Sequence, residues 1–205
     1  MTSAEKRVLF LAALRDFDRV RHIESVFLYS AAPVLRHAKP AVLINLQPRQ
    51  LLSWRERQDA LHRATGLQTF EIKNRQGSTL LLIYDERALH SHLHADDAQA
   101  LLALYSYPPH AGLLQMLTHL AGRFSDCFFP HEIGVFLGYS TPDVASFIKN
   151  SGKNCIYCRH WKVYHNVDHA RRIFDKIDAA QDYAIDLLGD SMPIHIAANL
   201  LRAAV

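Results

Sequence analysis

Along most of the chain apolar residues recur every three to four positions, but between residues 41 and 84 they also gather into short continuous runs. The first spacing belongs to helices with one buried face, the second to strands covered on both sides. Residues 18–31 place Val20, Ile23, Val26, Phe27 and Ser30 on one helical face, and Pro33 is expected to stop that helix. Pro40 then introduces AVLINL (41–46), a strand candidate, and residues 49–65 read as a helix closed by Gly66. LQTFEIKN and STLLLIYD flank Arg75-Gln76-Gly77, the composition of a hairpin turn. With the strand at 41–46 they predict a small three-stranded sheet, mixed or antiparallel.

After Tyr84 the periodicity is helical to the end. Residues 85–94 and 95–105 carry acids in their first turns, where the helix dipole favours them. Pro108-Pro109 breaks the run before a helix at 111–124. Pro130 is read as a first helical residue with Gly138 after that helix, and Thr141-Pro142-Asp143 as the start of another ending at Gly152. Val167, Ala170, Ile173, Phe174, Ile177 and Ala184 then form a long stripe within 166–188, and the last 13 residues are read as a short helix or a frayed tail. No linker or repeat interrupts the chain, so 1–205 reads as one α+β domain, with the sheet in 1–85 and a helical part in 86–205.

Composition narrows the setting. Three cysteines in 205 residues do not make a disulfide scaffold, and no apolar run approaches the roughly 18 residues of a membrane span. Val8 to Leu14 is apolar but short and is followed at once by Arg15-Asp16, so it reads as part of the fold rather than a leader. The expectation is a reduced, cytoplasmic, soluble protein. A net charge of +3 makes no strong call on nucleic acid. Thirteen histidines are the oddity, as potential metal ligands or pH-dependent cations.

Two long motifs carry more information: FPHEIGVFLGY (129–139) and GKNCIYCRHWKVY (152–164). With the APVLRHAKPA segment (32–41), they resemble an uncharacterised bacterial family, common in anaerobes and known as a conserved domain of unknown function. The resemblance spans essentially the whole chain. It implies no established activity, only a hint of redox or metal metabolism from the flavodoxins and iron-handling proteins found beside such proteins. The chain departs from the family pattern at Tyr29-Ser30, where a His-Cys pair is usual, and at Arg159-His160, where Gly and an aromatic are usual. His165 and His169 are also its own.

Four chemistries compete for these motifs. The corner at 131–149 has the residue order of a helix-turn-helix, with Gly134 and Gly138 at the close approach and turn. It offers a groove only Ser146 and Lys149, against Asp143, so nucleic acid is not the favoured partner. Cys155, Cys158, His165 and His169 have a C-x2-C-x6-H-x3-H spacing that suits zinc or iron, whereas His90, His92 and His94 read as solvated surface. Cys158 beside Arg159 and His160, or Cys127 ahead of His131-Glu132, offers a nucleophile with a neighbouring base. Finally, Lys153, Asn154, Cys158, Trp161, Lys162 and Tyr164 combine positive charge with stacking surface, which suits an anionic cofactor or an acidic redox partner such as a flavodoxin. The competing possibility for Trp161 and Tyr164 is simple packing, with Lys162 solvated between them. The preferred expectation is an accessory binding protein built on 152–172. A Cys-dependent enzyme is the alternative, and a DNA-binding corner the second. Oligomeric state is not legible.

Overall fold

A computed structural model describes residues 2–73, 79–126, 129–189 and 192–203. The turn expected at 75–77 and the candidate Cys127 lie outside the described residues. The sheet is built of β1 (Ala41–Leu46), β2 (Gln68–Lys73) and β3 (Thr79–Tyr84), all antiparallel, in the order β1-β3-β2. Every residue of β3 is buried. That explains its unbroken TLLLIY run: the strand is paired on both edges and covered on both faces, so neither period-2 position meets water.

Two cores follow from the alternation. Leu81 and Ile83 point into one, shared with α1 (Ser3–Ala13), α2 (Arg19–Leu35), α3 (Pro48–Thr65), α9 (Val167–Gly189) and α10 (Ile194–Ala203). Leu80, Leu82 and Tyr84 point into the other, against α4 (Glu86–Leu93), α5 (Asp96–Ala103), α6 (Leu113–Asp126), α7 (Ile133–Phe136) and α8 (Thr141–Lys149). The last two helices thus return to pack with α2 and α3. A two-residue hairpin, β4 (Tyr157–Cys158) and β5 (Lys162–Val163), carries Trp161 and Val163 into a third cluster with Phe174 and Ile177 of α9.

Three expectations need correction. Pro33 does not stop α2, which runs on to Leu35. A proline so near the end removes a single intrahelical donor, and the helix closes beyond it. His37 takes a left-handed conformation (φ 53°), its N–H bonds to the Val34 carbonyl, and the Ala38 N–H to that of Pro33. Pro130 is not a first helical residue, because α7 begins only at Ile133 after a turn. The N-cap position of α8 is held by Ser140 rather than Thr141, without a side-chain cap bond, and Pro142 lies inside the first turn. The uncertain tail forms α10, held to α3 by Arg202 donating to the Thr65 and Ala64 carbonyls.

Candidate functional site

The corner owes its shape to two glycines. A Cβ on Gly134 would lie 2.8 Å from the Val144 side chain, so its absence lets α7 and α8 touch. Gly138 has φ 72°, and a Cβ there would stand 2.3 Å from Pro40 Cδ. The chain after the corner is therefore pressed onto the Lys39-Pro40 segment that leads from α2 to β1.

Asp143 ties this corner to the hairpin. Its carboxylate is 2% exposed and accepts three hydrogen bonds: from Trp161 Nε1–H (3.0 Å), Tyr164 N–H (2.8 Å) and His165 N–H (2.9 Å). A buried carboxylate is tolerable when several N–H dipoles replace its water, and here all come from one strand end. Trp161 is itself buried, stacked on Tyr139 at 4.9 Å and edge-on to Phe174 at 4.3 Å. On its other side the hairpin tip is clamped by Asp178 of α9. Arg159 bonds both Asp178 and Asp175, and His160 Nε2–H donates to Asp178 at 3.0 Å. Arg7 of α1 reaches the same carboxylate at 2.6 Å. Burial lowers the His160 pKa, against the pull of Asp178, which leaves a neutral ring whose Nε2 carries the proton. Arg159 and His160 thus form this clamp with Asp178.

Between corner and hairpin lies a cavity of about 370 Å³, its walls including Phe129, Tyr139, Phe147 and Trp161, with Cys158, Lys162 and His131 also in the lining. Cys158 and Lys162 are directly opposed across the hairpin. Lys162 Nζ donates to the Gly152 carbonyl at 2.7 Å and stands 5.8 Å from the Phe147 ring. His131 meets Phe147 edge-on at 5.1 Å.

The expected site residues separate into groups. Cys158, Trp161, Lys162 and His131 share the cavity lining. Glu132 does not join His131 there. It is buried and paired to Arg123 at 2.7 Å, and it shares with His131 the lining of a neighbouring pocket. Tyr164 is half-buried with its hydroxyl enclosed and without a hydrogen-bond partner, and burial raises its phenol pKa, with Cys155, Asp143 and Cys158 adding to the effect. Lys153 and Asn154 are exposed on the loop before the hairpin. Cys155 is half-buried and Cys158 exposed. His165 is drawn to Ser146 Oγ at 2.9 Å, while His169 lines a different cavity at the start of α9. Among the described residues no group of three or more His, Cys, Asp or Glu is placed to hold a metal ion. His92 of the triple cluster is not solvated surface: burial lowers its pKa, and its Nε2 is enclosed. As for DNA, Asp143 and Ser146 of α8 are occupied by the hairpin, so this face of the second helix meets protein.

Sequence reasoning missed Asp143 and Asp178, the two anchors of the hairpin. Neither leaves a local signal, since each partner lies 18 or more residues away. No helix among the described residues is long and apolar enough to cross a membrane. A model of the family described as "Protein of unknown function (DUF3793)" matches residues 27–196. No curated protein and no solved structure matches the chain.

Proposed function

The chain belongs to that family of proteins of unknown function, and from this premise we propose that it is an accessory binding protein that holds a planar, anionic ring ligand between corner and hairpin. The observation that carries the reading is the cavity itself: aromatic walls, with the Lys162 ammonium in its lining. Flat apolar walls favour a ring by stacking and burial, and a cation at the rim favours an acidic substituent on it. Flavin and nucleotide rings have this chemistry. The redox colouring of the family resemblance and the exposed Cys158 sulfur agree with a flavin-like occupant.

The test is titration of the protein with flavin mononucleotide, with riboflavin as the uncharged comparison, read by Trp161 fluorescence. Quenching should saturate, be weaker for riboflavin, and be lost in Phe147→Ala. The buried Trp54 gives a constant background, identified with Trp161→Phe. Absence of saturable quenching by both compounds and by adenosine monophosphate would overturn the proposal.

A second reading rests on a separate observation. Lys149, Lys153, Arg172 and Lys176 are exposed around the hairpin and the start of α9. Their charge would steer an acidic partner such as a flavodoxin, with a rate that falls as salt rises.

A further inference from the structure

A second cavity, of about 380 Å³, lies where α2 hands the chain to β1. The left-handed His37 turns the backbone back at the helix end, and the Lys39 N–H joins that of Ala38 on the Pro33 carbonyl. Pro40 is then locked under Gly138, which fixes Lys39 at the wall of the cavity.

The charge of Lys39 is unusual in its surroundings. Arg7, Arg57, Arg123 and Arg159 are each paired with a carboxylate. Lys39 Nζ stands 4.9 Å from the centroid of the Tyr139 ring, and its charge also disfavours protonation of the nearby His160 ring. Among the described residues no Asp or Glu belongs to the cavity lining. Asp85, which follows the neighbouring strand, caps the Ala88 N–H instead. By contrast, Arg15, Arg19 and Arg49, which line a cavity near α3, are exposed and keep their water, so they need no counter-ion. Crowding by apolar atoms strips Lys39 of hydration and pushes its amine down to about 8.

The other polar groups of the lining are donors or orphans. His37, His169 and the Ser140 hydroxyl belong to it, and Ser140 makes no side-chain cap bond to its own helix. His92 is in the same lining, its ring hydrogen-bonded to the Val135 backbone and its Nε2 among the buried atoms without a partner. A partly desolvated cation, unused donors and no acid describe a site whose complement is an anion supplied from outside. We infer that this cavity binds a small oxyanion, the phosphate or carboxylate group of a small molecule, with Lys39 as its counter-charge and Ser140, His37 and His169 as surrounding donors. The site is distinct from the aromatic cavity, although Tyr139 lines both, and the inference does not rest on what that cavity holds.

The experiment is isothermal titration of the full chain, in a chloride-based amine buffer at constant ionic strength, with inorganic phosphate in one arm and acetate in the other. Lys39→Met and Ser140→Ala are titrated in parallel, with the fold of each checked by circular dichroism. Saturable binding of at least one anion is expected, weakened tenfold or more in Lys39→Met and severalfold in Ser140→Ala. The tighter arm identifies the group. Absence of saturable binding in both arms, or binding unchanged in a folded Lys39→Met, would overturn the inference. Loss of flavin quenching with phosphate binding intact would instead count against the aromatic cavity alone.

Discussion

Replacing Lys39 by Met should make the protein more stable, not less. Burial moves the amine from 10.5 to about 8, a gap equivalent to about 3 kcal/mol of penalty for keeping the side chain charged in the folded state. The Tyr139 ring returns part of this, since a partly desolvated cation over an aromatic face is worth about 1–2 kcal/mol. The net cost is about 2 kcal/mol, and methionine has a similar length and no charge to desolvate. The sign with pH follows from which state releases the proton first. Below about pH 8 the side chain is charged both folded and unfolded, and the whole cost is present. Between about 8 and 10.5 the folded chain gives up its proton while the unfolded chain keeps it, so wild-type stability rises relative to the variant. Urea unfolding of both proteins at pH 7 and pH 9.5, in buffers free of phosphate and carboxylate, measures the two gaps. We expect Lys39→Met to lead by about 2 kcal/mol at pH 7 and by about half of that or less at pH 9.5. A variant no more stable than wild type at pH 7, or a gap that does not change with pH, would refute the account of a strained cation.

Asp143→Ala should destabilise by about 3 kcal/mol or more, because three donors lose a charged acceptor in a buried place; thermal and urea unfolding would check this. Gly138→Ala combines a left-handed backbone with a Cβ driven into Pro40, so a loss of at least about 2 kcal/mol is expected, with few soluble molecules at 37 °C. Cys158, the exposed thiol of the hairpin, should alkylate well before the half-buried Cys155, as peptide mapping of iodoacetamide-treated protein would show. Since Cys158 lines the aromatic cavity, the same modification should reduce flavin quenching.

What could be read from the sequence was whatever depends on neighbours in the chain. The run 79–84, the turn-forming Gly66 and Gly138, and the stripe of α9 announce themselves within a few residues, because backbone geometry and periodic burial act locally. The α+β architecture followed from them. Pro33 misled for the same reason: a local rule forbids it in a helix interior, but near a helix end the cost is small and the closing turn offsets it. The role of Asp143 is not legible locally, because its partners come from 18 to 22 residues further on. Trp161 illustrates the limit in another way. Its buried stacking on Tyr139 and Phe174 makes it a supporting wall, so Trp161→Ala should cost about 3–5 kcal/mol of stability rather than leave a folded protein without a ligand. Glu132 and His131 are adjacent in sequence yet have different partners, the Arg123 guanidinium and the Phe147 ring, which no spacing rule could reveal.

Tyr139 belongs to the linings of both cavities, with the Trp161 ring and the Lys39 ammonium each resting against it. One rigid plane therefore cannot tilt to suit an occupant on one side without changing the shape and field offered on the other. Whatever free energy this transmits must be equal in both directions: an anion that tightens ring binding fivefold is itself held fivefold tighter once the ring is in place. A single phenol would then let two unlike molecules sense one another's concentration with no hinge, lid or second subunit.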